Sequence, residues 1–369
     1  MIWWIAVLGF AILVTTLWDS FATVVIPKTI ERRISFSGLF YNVSWNVWQV
    51  FAKALRDGPL RLALLSAYAP ITLLLLFMLW AAAMIFGFTL IHFGLRSLPP
   101  GTGIETYLYF SGETFFTLGY GDMTPKSALN QWISVFEAGT GFMFLALMIG
   151  YIPVLYGHFS SREQLIVRLD SRAGSMPSAG EILRRYAASG AMDSLPYLLK
   201  EWEDWSSKQL EAYLSYPILA FYRSQHDHQS WLCSLTAILD TCTLIEIGFD
   251  TEEEWAAKLR FQARATFAMG RHVIVDLAYL LDAAPDFKSP SRLPESSEVE
   301  LRSMLAKAGL TLRKDRQSVF DQRLRLYEPY CVSIARDCFY TLPGWVPEPG
   351  AIDNWEFSAW EKSGHFMAE

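Results

Sequence analysis

The chain has 369 residues, of which 52% are hydrophobic and only 18% charged, against about 25% charged in an average soluble protein. Residues 1–157 hold eight of the 31 Lys and Arg and seven of the 37 Asp and Glu, so their net charge is +1 and that of the remainder is −7. This asymmetry excludes a single soluble domain and a basic nucleic-acid-binding protein. It predicts a membrane domain followed by a soluble one.

Three apolar stretches are each long enough to cross a bilayer, which takes about 20 helical residues. They comprise residues 2–26, 62–95 and 129–156. The first contains one charge, Asp19, the second none, and the third one, Glu137. No basic segment precedes the first stretch and no small-residue cleavage site follows it, so we expect it to be retained. Pro70 is predicted to separate a juxtamembrane start from the second span, because proline removes a helical hydrogen bond.

The segment between the first two spans, residues 27–61, carries six basic and two acidic residues, interspersed with aromatic ones. An excess of Lys and Arg marks a cytoplasmic loop, and the mixture of aromatic and basic residues favours an amphipathic helix on the inner leaflet. The chain is therefore predicted to be a multi-pass protein of the cell (inner) membrane. Its N-terminus and residues 96–128 lie outside, and everything after about residue 158 lies in the cytoplasm.

The outer segment contains an apolar, aromatic run over residues 105–116, bounded by Pro99, Pro100 and Gly101. This run is long enough for a helix through half the membrane and too short for a span. Such a helix is tolerated at membrane depth only where protein buries it or it lines a water-filled path.

Directly after this run the sequence reads Thr117-Leu118-Gly119-Tyr120-Gly121-Asp122. The motif and its position between two spans resemble the tetrameric potassium-channel superfamily, whose selectivity filter reads T-V/L-G-Y-G-D. The form it resembles is the bacterial two-transmembrane pore-loop type, here with an extra N-terminal span and a helical cytosolic domain. Leu118 is a departure, since valine is commoner at that position.

The residue types of this motif suit a dehydrated cation, which needs rings of backbone carbonyl oxygens in place of water. Successive carbonyls face one axis only if the backbone alternates in handedness, and Gly119 and Gly121 tolerate a positive φ. The resemblance implies that K⁺ is held by the backbone of Thr117, Leu118, Gly119 and Tyr120, with K⁺ as the permeant ion and no cofactor. Because one chain supplies one filter loop, we expect a homotetramer in the lipid bilayer.

The resemblance also implies a support for the filter. Tyr120 is expected to point away from the pore axis and to pack against Tyr109 and Phe110. Glu113, four residues before Thr117, is expected to pair with Asp122, because two carboxyl groups in contact favour sharing a proton. Two separately solvated carboxylates are the alternative.

The third span carries the predicted gate. Gly141 stands 22 residues after Gly119, the spacing at which the superfamily has its inner-helix hinge glycine. Four apolar residues follow on one helical stripe, which we expect to face the pore and to close it by dewetting. They are Phe142, Leu145, Ile149 and Pro153. Gly150 and Pro153 are expected to kink the helix near its cytoplasmic end.

The two acidic residues of the spans are expected to be structural, because a buried acid is costly and faces protein or water. For Glu137 a structural hydrogen bond is favoured over an ion site. Asp19 is expected at the inner leaflet, paired with Arg56 or Arg61.

Residues 158–369 lack a strong strand pattern and are predicted to be helical. Capping boxes at Ser178, Thr251 and Ser297 predict helix starts, and Gly190 and two further glycines, 248 and 309, predict helix ends. A hairpin of two helices of about thirty residues is expected over 217–247 and 252–282. No signature of a nucleotide-binding, cyclic-nucleotide-binding, voltage-sensing or calcium-binding domain is recognised.

The remaining features of this part are expected to be structural. The four cysteines match neither a zinc nor a disulfide framework and should be reduced. His226 and His228 lie about 200° apart around a helix, so a polar seam is favoured over a metal site. Trp202, Trp205 and Trp231 are expected in the core.

The sequence thus predicts an all-α membrane pore-loop channel with three transmembrane helices, a pore helix and a filter per chain, followed by an all-helical cytosolic domain. The predicted segments are an N-terminal span (1–26), an interfacial segment (27–61), the pore domain (62–157), the helical domain (158–284), a linker (285–297) and C-terminal helices with an aromatic tail (298–369). The favoured function is potassium-selective conduction, gated by an unknown stimulus that acts through the cytosolic helical domain, where an unidentified ligand or protein partner is one candidate. The alternative is a membrane sensor or scaffold with a vestigial pore. An enzyme is not expected.

Overall fold

The computed structural model describes residues 2–26, 36–224, 230–249, 253–313, 315–348, 350 and 353–356. Over these residues the protein is helical, and its only extended pairing is an isolated antiparallel bridge between Phe249 and Leu312. The predicted all-α class is confirmed. The chain divides into two compact units, Met1–Gly157 and His158–Glu369.

Within the described part of the first unit, five helices begin. They are α1 (Trp3–Val24), α2 (Phe36–Ala54), α3 (Pro59–Leu95), α4 (Ile104–Phe115) and α5 (Ala128–Ala173), which continues into the second unit. Helices α1, α3 and α5 are long and apolar enough to cross a membrane, as predicted. Helix α3 is 37 residues long and runs through Pro70 without a break. The predicted boundary between a juxtamembrane start and the span at this residue stays a prediction.

Helices α1 and α3 pack through glycine. A Cβ atom on Gly9 would lie 2.5 Å from the carbonyl oxygen of Gly87, and one on Gly94 would lie 2.7 Å from the backbone nitrogen of Ala6. The backbone N–H of Ile2 donates to the carbonyl of Gly94 at 2.8 Å. The start of α1 therefore lies beside the end of α3. Small residues permit this close approach, which is a recurring way for membrane helices to associate.

Asp19, near the end of α1, is buried, and its predicted partner is wrong. The carboxylate accepts from Trp80 Nε1 of α3 at 2.9 Å and from the backbone N–H and hydroxyl of Ser37 at 3.3 and 3.4 Å. Arg61 pairs with Asp57. Ser37 lies in the first turn of α2, where backbone N–H groups lack helical acceptors. Asp19 thus satisfies a helix N-terminus, which carries partial positive charge.

Helix α2 is anchored to α3 through Tyr68, which is fully buried. The Tyr68 hydroxyl donates to the carbonyl of Tyr41 at 3.2 Å, and its ring lies against Trp45 and Trp48. Apolar side chains on α2 remain exposed, among them Phe36, Leu39, Val43, Val47, Val50 and Phe51. The placement of this helix at the inner leaflet stays a prediction, and residues 27–35 of the segment lie outside the described residues.

Seven further α-helices lie in the part of the second unit that the structure describes. They are α6 (Ala179–Ala188), α7 (Leu195–Ser215), α8 (Trp231–Ile247), α9 (Trp255–Leu280), α10 (Glu295–Lys307), α11 (Gln317–Leu324) and α12 (Glu328–Cys338). Helix α9 packs against both α7 and α8. Trp202, Trp205 and Trp231 are buried, as predicted.

Local signals at helix ends are confirmed in part. The hydroxyl of Ser178 caps α6 by accepting from the backbone N–H of Glu181. Gly190, Gly248 and Gly309 follow helices with φ of 67°, 90° and 88°, the left-handed conformation that ends helices and suits glycine. The capping box at Ser297 is wrong, because α10 has already begun at Glu295. Thr251 lies outside the described residues.

The predicted thirty-residue helix over 217–247 is also wrong. Pro217–Phe221 is a short 3₁₀ helix, and α8 begins only at Trp231, where the Ser230 hydroxyl accepts from the backbone N–H of Cys233. Proline at the start of the 3₁₀ turn and a serine cap before α8 divide the segment. The polar run with His226 and His228 falls outside the described residues, as do Phe357 and Trp360 of the aromatic tail.

Arg292 lies in the segment predicted to be a linker, yet it is at the centre of the second unit. Its guanidinium makes two hydrogen bonds to Asp240 of α8, at 2.6 and 3.1 Å, and Tyr327 donates to the same carboxylate. Burial alone would lower the pKa of Arg292, but the Asp240 carboxylate raises it above its usual value, so the guanidinium stays protonated. The segment before α10 is therefore fixed to the core by an ion pair.

The four cysteines are free and buried in the second unit. Burial raises the pKa of Cys233 and Cys331 to about 12. Because the thiolate is the reactive form, these thiols react at neutral pH only when the unit opens.

We expect Arg292→Ala to lower the free energy of unfolding of the second unit by about 3–5 kcal/mol, because it leaves Asp240 buried and unpaired. The matched control is Arg168→Ala, which breaks the exposed pair of Arg168 with Glu201 and should cost about 1 kcal/mol or less. The measurement is the midpoint urea concentration at which the buried thiols of the full-length protein become reactive toward Ellman's reagent. Equal midpoints for the two variants would contradict the central role of the Arg292 pair.

Candidate functional site

The segment that follows α4 has no regular secondary structure and an alternating backbone. Thr117, Gly119 and Gly121 have φ of 56°, 63° and 78°, and Leu118 and Tyr120 between them do not have positive φ. The two glycines thus adopt the conformation expected of them. Thr117 was not expected to do so, and a positive φ is uncommon for a β-branched residue. The backbone N–H groups of Thr117 and Leu118 donate to the last turn of α4, at Thr114 and Glu113.

Glu113 is buried behind this segment. Asp122 lies within electrostatic range of the Glu113 carboxylate. The structure therefore brings the two predicted carboxylates close together, and their sharing of a proton stays a prediction.

The predicted aromatic support is arranged differently within one chain. Tyr120 is 70% exposed. Phe110 is buried with Leu98 and Tyr107, and its ring also meets His92 edge-on at 5.1 Å. Tyr109 is partly exposed and lies within electrostatic range of Asp122 and Tyr120. Packing of Tyr120 against these aromatic rings stays a prediction for the assembled protein.

Gly141 of α5 lies against the C-terminus of α4. A Cβ atom at this position would be 1.8 Å from the carbonyl oxygen of Phe115, so any side chain would collide with the backbone that leads into residue 117. Helix α5 is continuous through Gly141, Gly150 and Pro153. The close approach of α4 therefore requires glycine at position 141. This reason was not revealed by the spacing of 22 residues from Gly119. The hinge role stays a prediction.

The predicted gate residues are exposed on α5 within the single chain. Phe142, Leu145 and Ile149 are 69%, 55% and 64% exposed, and Pro153 is also exposed. This apolar face is therefore available to other copies of the chain or to the interior of a pore.

Glu137 makes the structural hydrogen bond that was favoured for it. Its Oε2 lies 3.1 Å from Nε2 of His92, and Nδ1 of His92 lies 2.9 Å from the Ser97 hydroxyl. His92 was missed by sequence reasoning, although a histidine within an apolar span is itself a signal of a polar contact. Among the described residues, no group of three or more His, Cys, Asp and Glu is placed to hold a metal ion.

We expect Gly141→Ala to destabilise the first unit by about 1–3 kcal/mol, because the added methyl overpacks the contact with Phe115. The control is Gly139→Ala on the same helix, where nothing lies within 4 Å of the new Cβ and alanine favours the helix by about 1 kcal/mol. Thermal unfolding of the full-length protein in detergent compares the two. A Gly141→Ala variant as stable as Gly139→Ala would reject the close approach.

Comparison with known proteins bears on the same region. Residues 71–155, which include α4, the segment 117–122 and most of the apolar part of α5, match the model of a family described as "Ion channel". The chain is 24% identical over 198 residues to an uncharacterized membrane protein, YdjJ, of Bacillus subtilis, covering 50% of this chain and 55% of that protein. It is 30% identical over 84 residues to Protein LctB of Geobacillus stearothermophilus, covering 19% of this chain and 62% of that protein.

The chain thus spans less than two thirds of the length of these relatives, and no solved structure matches it significantly. Three apolar helices have the length of a span, residues 71–155 match the ion-channel family, and a membrane protein is similar to the chain. The chain is therefore a membrane protein whose residues 71–155 are similar to ion channels.

Proposed function

We propose that this protein is a potassium-selective channel. The observation that carries the proposal is the segment 117–122, in which every second residue from Thr117 to Gly121 has a positive φ. A backbone that alternates in this way turns successive carbonyl oxygens toward one side, and such oxygens replace the hydration shell of a cation. The match of residues 71–155 to an ion-channel family supports the same conclusion.

The working unit of the proposal is a homotetramer in a lipid bilayer. One chain contributes one segment 117–122, and a closed ring of carbonyls needs four, arranged with cyclic symmetry. The exposed apolar face of α5 around Phe142 and Ile149 supports this assembly, because the same face would line the central path once four copies surround it.

Closure of the pore in this proposal needs no charged group. The stripe of Phe142, Leu145, Ile149 and Pro153 is apolar, and an apolar constriction excludes ions by dewetting. Opening requires the cytoplasmic ends of the four α5 helices to separate. Gly141 and Gly150 are the candidate positions for that bend.

The proposed setting is the cell (inner) membrane, with the N-terminus outside and the second unit in the cytoplasm. The basic residues of segment 27–61 support this orientation. The second unit begins within α5 itself, so a ligand or protein partner that binds there has a direct route to the inner helix. No described feature of the second unit identifies that ligand.

Purified protein in liposomes should pass K⁺ and exclude Na⁺, and Gly119→Asp should abolish the flux, because a side chain at this positive-φ position disrupts the carbonyl ring. The control is Gly101→Asp, which makes the same change at another positive-φ glycine with open space around it. Flux is measured with a K⁺-dependent membrane potential and a voltage-sensitive dye.

The outcomes of this assay separate the candidates. Equal K⁺ and Na⁺ flux would reject potassium selectivity and leave a cation channel. Absence of flux from the wild-type protein under every condition would contradict conduction and favour the membrane sensor or scaffold with a vestigial pore.

Cysteines introduced singly at 142, 145, 149 and 153 should react with a water-soluble thiol reagent when the pore is open and be protected when it is closed. The native cysteines are buried in the second unit and give little background. Val154, an exposed residue of the same helix that lies off the stripe, is the control whose labelling should not follow opening. If the four stripe positions stay unmodified in every state, the stripe does not line the pore.

A further inference from the structure

The first unit contains a buried polar pair that the sequence analysis did not identify. Nε2 of His92, in the last turn of α3, lies 3.1 Å from Oε2 of Glu137 on α5, and both side chains are 0% exposed. The other ring nitrogen lies 2.9 Å from the hydroxyl of Ser97, just beyond α3. A neutral imidazole satisfies both contacts if Nε2–H donates to Glu137 and Nδ1 accepts from Ser97.

Helix α4 is held directly against this pair. The ring of Phe110 meets the imidazole of His92 edge-on, at 5.1 Å between centroids and 83° between planes. The short helix α4 thus meets the pair through the side chain of Phe110.

A second contact holds α4 at its C-terminal end, where the carbonyl of Phe115 lies against Gly141 of α5. Between the two contacts the helix is fixed over about one turn, and its last turn then accepts the backbone N–H groups of Thr117 and Leu118. A shift or rotation of α4 at Phe110 is therefore transmitted to the first residues of the segment 117–122.

The pair is also costly to break. A buried polar group without a partner loses its hydration and gains nothing in return, and removing one member of a buried pair leaves the other unsatisfied. Because His92 and Glu137 come from different helices, the arrangement that satisfies both also fixes the distance between α3 and α5 at the level of α4.

We propose that His92 and Glu137 form a brace that positions α4, and that His92 is a positioning residue for ion selectivity. The inference rests on the proposed channel function, in which small displacements of the segment 117–122 alter the spacing of the carbonyl oxygens. The brace acts through α4 and touches no permeant ion.

Two variants of Glu137 test the brace. Glu137→Gln keeps an oxygen that accepts from Nε2–H of His92 and should retain wild-type behaviour, whereas Glu137→Leu removes the acceptor. Glu137→Leu should accelerate hydrogen–deuterium exchange of the α4 amides, and should lower the K⁺/Na⁺ permeability ratio in planar bilayers about tenfold, equivalent to about 1.4 kcal/mol. His92→Asn, which is too short to reach both partners, should change both quantities in the same direction and serves if Glu137→Leu does not fold.

The matched control is Thr89→Val. Thr89 is buried on α3 one turn before His92, and its hydroxyl donates only within its own helix, to the carbonyl of Ile85 at 2.8 Å. This change should leave both the exchange of α4 and the permeability ratio at wild-type values. Equal exchange of the α4 amides in Glu137→Leu and Thr89→Val would overturn the brace. Faster exchange in Glu137→Leu with an unchanged permeability ratio would overturn its role in selectivity.

Failure of the brace and failure of the channel function are separable. If the wild-type protein conducts no ions, the proposed function is contradicted and the role of His92 in selectivity falls with it. The exchange of the α4 amides then still decides whether the pair positions this helix.

Discussion

The interior of a bilayer offers no water to polar groups, so each polar atom placed there must find its partner within the protein. In the first unit this requirement decides which helices touch. Asp19 of α1 accepts from Trp80 of α3 and from the start of α2, and Oε2 of Glu137 on α5 pairs with His92 of α3. Each acid in a span is thus joined to a helix other than its own, and for both acids that helix is α3.

The same constraint applies to the segment 117–122 in the proposed channel. Its backbone makes few hydrogen bonds beyond those of Thr117 and Leu118 to α4. At the membrane depth that the proposal gives it, its remaining carbonyls must face ions or water. Helix α4 contacts Gly141 at one end and His92 near its middle, and its last turn accepts the first backbone N–H groups of the segment.

Sequence reasoning located the spans, the short helix and the segment 117–122, because length, hydropathy and the tolerance of Gly119 and Gly121 for positive φ are properties of the local chain. It did not find the partners of Asp19. Trp80 is 61 positions away from Asp19 in sequence, and nothing in a one-dimensional pattern brings an indole to a carboxylate. The close approach at Gly141 was hidden for the same reason, since spacing from Gly119 suggests a hinge as readily as a packing contact.

In the second unit, too, local features were predicted correctly and contacts between distant residues were missed. The Ser178 cap and the glycine at 190 were read correctly, because a cap is decided by a few neighbouring residues. The capping box at Ser297 was misleading since α10 starts two residues earlier, after Pro294. Arg292 was assigned to a linker on composition alone. Its role depends on Asp240 and Tyr327, contributed by distant helices.

The glycine contacts between α1 and α3 have a consequence for how the protein responds to its membrane. At Gly9 and Gly87 the two backbones touch without intervening side chains, so one helix cannot slide along the other without a collision. A helix that meets a thinner or thicker bilayer ordinarily relieves the mismatch by tilting by itself. Here α1 and α3 must tilt together, so a bilayer thickness that tilts α1 also tilts the helix that carries His92.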